Sequence, residues 1–107
     1  MTNKNQLNLN ELLEIIDKRV SAKDESSYSY KIVKEGIEKA ARKVGEEAVE
    51  VVIASFVNEK KQDEKSHAEL VGEICDLFYH TLLLMKTQDI KLEEVFEEFK
   101  KRNDKHR

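Results

Sequence analysis

Two groups of carboxylates stand out by their spacing. Glu46, Glu47 and Glu50 lie at i, i+1 and i+4 within the stretch KVGEEAVEVVIA, Lys43 to Ala54. At about 100° per residue, their side chains leave a helix within an arc of roughly 100°. Glu69, Glu73, Asp76 and His80 follow at spacings of four, three and four, which draws one polar line down a helix otherwise carrying Ile74, Cys75, Leu77, Phe78, Tyr79, Leu82, Leu83, Leu84 and Met85. Solvation alone does not select so narrow a stripe on a helix that is apolar almost all round. If both groups face one interhelical space, carboxylates about 5 to 6 Å apart repel by roughly 3 kcal/mol per pair at an effective dielectric near 20. Several such pairs would consume the ~5 to 15 kcal/mol that stabilises a domain. Partial protonation relieves this repulsion. A divalent cation relieves it too and leaves the oxygens as ligands; an all-oxygen set suits magnesium, with manganese as the alternative.

The elements that must position these acids are helices. Leu9, Leu12, Leu13, Ile16 and Val20 recur at helical spacing, and Asn8 followed three residues later by Glu11 predicts a capping box before a first helix over 9–20. The polar run SAKDESS, 21–27, reads as a loop, and a short second helix over 28–34 is expected to end at Gly36. A third helix is expected over 37–58, a charged connection over 59–64, and a fourth helix that ends near Lys86. Asp89 is placed to cap a last helix bearing Leu92, Val95, Phe96 and Phe99; its Glu93, Glu94, Glu97 and Glu98 read as a solvated face. Gly45 and Gly72 each directly precede an acidic group inside a helix, where glycine costs about 1 kcal/mol relative to alanine, and close approach of another backbone is the expected reason.

Composition agrees. The chain has 107 residues, no proline, three glycines and 38% charged residues, the profile of one all-α domain over 1–107 with about five helices. Nineteen basic and 22 acidic residues give a net charge of −3, which disfavours nucleic-acid binding by bulk charge. The single Cys75 makes no internal disulfide and is expected to pack in the core, and His67, His80 and His106 are too scattered for a zinc-type site. The polar start MTNKNQLNLN and the lack of any apolar run of ~18 residues argue against a signal peptide or membrane span, so a cytoplasmic location is expected. Two helices that are apolar almost all round need more cover than three amphipathic ones provide; a homodimeric helical bundle is the expected solution.

The pair GEEAVE and GEICD resembles the EExxE and ExxD signature of the all-α nucleoside triphosphate pyrophosphatases. Within that superfamily the chain is similar to the phosphoribosyl-ATP pyrophosphatases of histidine biosynthesis. It carries their SSY segment as Ser26, Ser27 and Tyr28, followed by Ser29, and their DLxYH run from Asp76 to His80. The resemblance implies hydrolysis of phosphoribosyl-ATP to phosphoribosyl-AMP and pyrophosphate, with magnesium on Glu47, Glu50, Glu73 and Asp76. Glu46 would then orient a ligand or accept the proton of the attacking water. Lys43, one helical turn before Glu46 and Glu47, is placed to meet a phosphate beside the metal, and the resemblance adds Arg19 and Arg102 as substrate contacts. His80, Ser27 and Tyr28 are further candidates for substrate binding; alternatively, His80 is a satisfied, partly buried histidine, while Ser27 and Tyr28 cap and anchor the second helix.

Three other readings compete. A housekeeping nucleoside triphosphate pyrophosphatase of the same fold shares the acids but lacks the SSY and DLxYH pattern. A carboxylate-bridged di-iron bundle needs Glu-x-x-His pairs on two helices, whereas Glu73 has Asp76 three residues later and the third helix has no histidine. A non-enzymatic helical interaction module would leave the acids without a purpose.

Overall fold

The computed structural model describes residues 7–103; residues 1–6 of the polar start and His106 lie outside the described residues. Five α-helices follow in order: α1 Leu9–Ala22, α2 Tyr28–Glu35, α3 Ile37–Lys61, α4 Glu64–Thr87 and α5 Leu92–Asn103. There is no strand among the described residues.

Local chemistry explains most of the boundaries. The Asn8 side chain accepts the Glu11 N–H at 2.8 Å and donates to the Glu11 carboxylate at 2.7 Å, the reciprocal pairing expected from the sequence. α1 then runs two residues past the expected end and stops at Lys23 in the left-handed region, φ 54°. Ser27 caps α2 by accepting the Tyr30 N–H. Gly36, at φ 94°, both ends α2 and starts α3, a backbone conformation that disfavours any side chain. The expected charged connection over 59–64 shrinks to Gln62 and Asp63. α3 continues through Lys61, Gln62 turns the chain at φ 50°, and Asp63 caps α4 by accepting the Ser66 N–H at 2.8 Å. Asp89 does not cap α5. It adopts φ 52° in the preceding turn, and the Lys91 N–H donates to the Glu94 carboxylate at 2.8 Å at the helix start instead.

So short a connection forces α3 and α4 into an antiparallel hairpin, which is the main packing contact of the molecule. α2 touches α1, α3 and α4. The buried core gathers Ile16 of α1, Ile32 of α2, Ala40 of α3, and Leu82 and Leu83 of α4. It therefore sits at one end of the hairpin, where α3 begins and α4 ends, and the Lys86–Asp17 ion pair at 2.6 Å ties α1 to that end. Leu83 is fully buried in this cluster. Leu83→Ala is expected to destabilise the fold by about 2 to 5 kcal/mol, read as a lower urea midpoint at unchanged slope.

The far half of the hairpin has no such cover. Val49, Val52, Ile53 and Phe56 form an exposed stripe on α3, and Val71, Ile74, Cys75 and Phe78 form one on α4. Both stripes follow the i, i+3, i+4, i+7 pattern of a packing face. Cys75 is thus exposed, contrary to the core position expected from its apolar neighbours; those neighbours are themselves uncovered. A Cβ built on Gly45 or Gly72 meets nothing within 4 Å, so no close backbone approach among the described residues explains either glycine.

Candidate active site

The acids meet where the core ends. Antiparallel packing turns the middle of α3 toward the middle of α4, and one oxygen each of Glu47, Glu73 and Asp76 lies within 4.8 Å of the others. Glu47 is only 7% exposed, Glu73 is half-buried and Asp76 is exposed, so the cluster opens from the hairpin interior to solvent. Glu50 joins it. It lies beside both Glu47 and Glu73, and it lines a groove with Ile53, Val57, Glu69 and Glu73.

Crowding shows in the proton affinities. Burial pushes the Glu47 carboxyl above its ordinary value of 4.5, and Glu50 and Asp76 push it further, with His80 opposing them. Glu73 is also raised, first by its proximity to the Glu50 carboxyl, then by burial and by the charges of Glu50, Glu47 and Asp76. One oxygen of Glu47 and one of Glu73 are buried with no hydrogen-bond partner. Buried carboxylate oxygens without donors are costly, and a cation is the partner that an all-acid cluster lacks. The residues present therefore fit a hard divalent ion such as magnesium or manganese.

Lys43 provides the adjacent positive charge. Its ammonium lies 3.4 Å from Glu46 and 3.8 Å from Glu47. Burial works against that charge, but Glu46 and the other nearby acids outweigh it and hold Lys43 above its ordinary value. Glu46 itself faces Lys43 and Arg42 rather than joining the oxygen cluster.

On the other side of the acids stands a network of aromatic and polar groups. His80 is 6% exposed, and its Nδ1 is 2.7 Å from the backbone carbonyl of Asp76. Its Nε2 is 2.7 Å from the Tyr28 hydroxyl. Tyr28 packs against Tyr79 with nearly parallel rings, and both rings meet His80 edge-on. Ser29, also buried, hydrogen-bonds the Tyr79 hydroxyl. Burial raises the Tyr28 phenol above its ordinary value, partly opposed by Lys43.

A second groove runs from the end of α1 to the start of α2. Lys18, Arg19, Ser27 and Tyr28 line it, with Asp24, whose carboxylate is held by the N–H and hydroxyl of Ser26 and lies below its usual range. Among the described residues, neither Lys18 nor Arg19 makes an ion pair. Ser27 has its hydroxyl committed to capping α2. Arg102 lies apart, donating to Glu98 at 3.0 Å on α5, where it lines a surface with Ile90 and Phe99.

Among the sequence candidates, Glu47, Glu50, Glu73, Asp76, Lys43, His80 and Tyr28 come together; Arg19 and Ser27 share the neighbouring groove. Lys18, Ser29 and Tyr79 were not among those candidates. Each adjoins one of them in sequence, but only the packing of α1, α2 and α4 reveals its contact.

Comparison with known proteins bears on the whole chain. A protein-family model described as phosphoribosyl-ATP pyrophosphohydrolase matches residues 9–103. A phosphoribosyl-ATP pyrophosphatase from Clostridium acetobutylicum is 43% identical over 102 residues, 95% of this chain and 86% of that protein. Phosphoribosyl-ATP pyrophosphatase 1 from Bradyrhizobium diazoefficiens is 46% identical over 81% of this chain and 76% of its own length. The phosphoribosyl-ATP pyrophosphatase of Sulfurisphaera tokodaii is 40% identical, covering 88% of this chain and 93% of that one. A match that begins with α1, ends with α5 and takes in both acidic helices admits one assignment: the chain belongs to the phosphoribosyl-ATP pyrophosphohydrolase family.

Proposed function

We propose that this protein hydrolyses phosphoribosyl-ATP to phosphoribosyl-AMP and pyrophosphate, a step of histidine biosynthesis, using a divalent metal ion on Glu47, Glu73 and Asp76 with Glu50 beside them. What supports the metal is the convergence of those carboxylates, together with one oxygen of Glu47 and one of Glu73 that are buried without a hydrogen-bond partner. A bound magnesium or manganese ion supplies charge neutralisation for the polyphosphate and a more acidic water.

The chain's own residues do the rest. Lys43 offers its ammonium to a phosphate oxygen next to the acids, while its pairing with Glu46 and Glu47 holds it in place. Glu46, half-exposed and outside the oxygen cluster, can take a proton from the attacking water. Lys18 and Arg19 give the second groove a positive wall for another phosphate. Arg102 lines neither of the two grooves.

A homodimer is the other part of the proposal. Two stripes of large apolar side chains, on α3 and α4, are exposed beside a core cluster of five buried apolar residues among the described residues. A second copy of the same chain, placing its hairpin against this one, would bury both in a four-helix bundle. No helix of the described residues is long and apolar enough to cross a membrane.

The test is pyrophosphate release from phosphoribosyl-ATP, with and without magnesium, beside ordinary and damaged nucleoside triphosphates. Magnesium-dependent preference for phosphoribosyl-ATP of at least about 100-fold in kcat/KM is the expected outcome. Equal cleavage of the ordinary triphosphates would move the protein to nucleotide housekeeping. No release by the folded, magnesium-supplied protein would eliminate the enzyme reading.

A further inference from the structure

The two grooves beside the acid cluster are opposite in charge. Three acids, Glu50, Glu69 and Glu73, and no basic residue among the described ones line the groove between α3 and α4. The groove between α1 and α2 has Lys18 and Arg19 against one acid, Asp24, whose carboxylate already accepts the N–H and the hydroxyl of Ser26 at 2.9 and 2.7 Å. Lys18 and Arg19 are consecutive near the end of α1 and exposed, and Ala22, one turn later, is too small to fill the space beside them. That space is about 420 Å³, enough for a sugar phosphate rather than a bare ion. The Ser27 hydroxyl accepts the Tyr30 N–H, which leaves its own O–H to donate into the groove it lines. Tyr28 joins this groove to the acids. It lines the groove, its hydroxyl is 2.7 Å from His80 Nε2, and His80 Nδ1 is 2.7 Å from the backbone carbonyl of Asp76.

Opposite charges sort the phosphates of one substrate. The acids repel a phosphate that arrives without a cation, so their side takes the triphosphate, the part that chelates a divalent ion. The basic groove attracts a phosphate directly. Its two cations match the charge of about −1.5 to −2 that a phosphate monoester carries near pH 7, and Arg19 adds a planar fork of donors. We infer that Lys18 and Arg19 bind the monophosphate of the phosphoribosyl group without a metal ion, and that this contact separates phosphoribosyl-ATP from ATP, which lacks that phosphate. The cleaved bond lies in the triphosphate, so the product phosphoribosyl-AMP keeps the contact and binds the metal-free protein. This inference rests on the proposed hydrolysis of phosphoribosyl-ATP and deepens it by naming the residues that set its specificity.

The experiment has two arms. In the first, wild type and the double variant Lys18→Gln/Arg19→Gln hydrolyse phosphoribosyl-ATP and ribosyl-ATP, identical but for the ribosyl phosphate, at saturating magnesium. Wild type is expected to lose about 30-fold in kcat/KM on ribosyl-ATP, carried by KM. The variant should show that same loss on phosphoribosyl-ATP and no further loss on ribosyl-ATP, because both changes remove one shared contact. In the second arm, calorimetry in EDTA measures phosphoribosyl-AMP and ribosyl-AMP binding to the metal-free proteins. Wild type should bind phosphoribosyl-AMP about 10-fold more tightly than ribosyl-AMP, and the variant should bind the two alike. Three results overturn the inference while leaving the hydrolase reading intact. Equal wild-type kcat/KM on both triphosphates, which would leave the groove to a free anion, is one, and it needs no variant to fold. Losses in the variant that multiply with the loss of the phosphate are the second. Equal binding of the two products by metal-free wild type is the third. No pyrophosphate from any substrate, with phosphoribosyl-AMP still preferred in EDTA, would overturn the hydrolase reading and leave the phosphate contact standing.

Discussion

Glu47→Gln is expected to lower kcat/KM by at least about 100-fold and, in the metal-free protein at neutral pH, to raise the melting temperature. The two effects have one origin. Glu47 is 7% exposed and surrounded by Glu50, Glu73 and Asp76, so its negative charge is costly in the absence of a cation and needed in its presence. Its carboxyl and that of Glu73 bind protons more tightly in the folded protein than their ordinary value of 4.5. Their stabilising contribution is therefore complete below pH 4.5 and is lost as pH rises through the raised values. Glutamine carries no such charge. The melting-temperature advantage of the variant should open above pH 4.5 and grow toward neutrality, by about 4 to 8 °C for each 1 kcal/mol relieved. Asp24 and Asp63, held below their usual range by hydrogen bonds from serines, slope the other way, so the quantity to follow is the difference between variant and wild type across pH. Magnesium at about 100 times its Kd should then stabilise wild type by about 2.7 kcal/mol and the variant far less. Equal magnesium shifts in both proteins would count against a metal on Glu47.

The second large effect concerns assembly. Wild type is expected to melt at a temperature that rises with protein concentration, and Phe56→Glu is expected to abolish that dependence along with most of the activity. Phe56 is 73% exposed, on the same stripe as Val49, Val52 and Ile53. On a monomer, a glutamate there would change stability by less than about 0.5 kcal/mol. Against a second hairpin it would bury an unpaired charge, which costs several kcal/mol and separates the copies. Sedimentation of both proteins across about a 100-fold concentration range, with melting curves, distinguishes these cases. A wild type that sediments as a monomer throughout, with Phe56→Glu unchanged in melting, would remove the dimer from the proposal.

How much of this was legible in the sequence follows from the range of the forces involved. Helix positions rest on local signals, and the cap of α1 by Asn8 and Glu11, the cap of α2 by Ser27 and the break at Gly36 all lie where spacing and residue type put them. Where local signals were ambiguous, the reading slipped. Glu59, Lys60 and Lys61 look like part of a charged loop, yet they are good helix formers, and α3 absorbs them because Asp63 caps the next helix almost immediately. Asp89 is a good cap by type, but the chain spends it on a left-handed turn. Cys75 was read as core because its neighbours are apolar; sequence shows that a face must be covered, not whether the same chain covers it.

The candidate site divides along the same line. One helical period places Glu46, Glu47 and Glu50 together, and another aligns Glu69, Glu73, Asp76 and His80, so the sequence by itself determined both acidic stripes. Which members of the stripes converge was decided by the α3–α4 hairpin, whose two-residue connection fixes the register that joins Glu47 to Glu73 and Asp76 and leaves Glu46 with Lys43 and Arg42. Tyr28 and His80 are 52 residues apart, and no periodicity relates them; only the seating of α2 against α4 brings the hydroxyl to the imidazole. Spacing along one helix is a property of covalent geometry and is present in the sequence, whereas contact between helices depends on burial summed over the whole chain, and only the tertiary structure decides it.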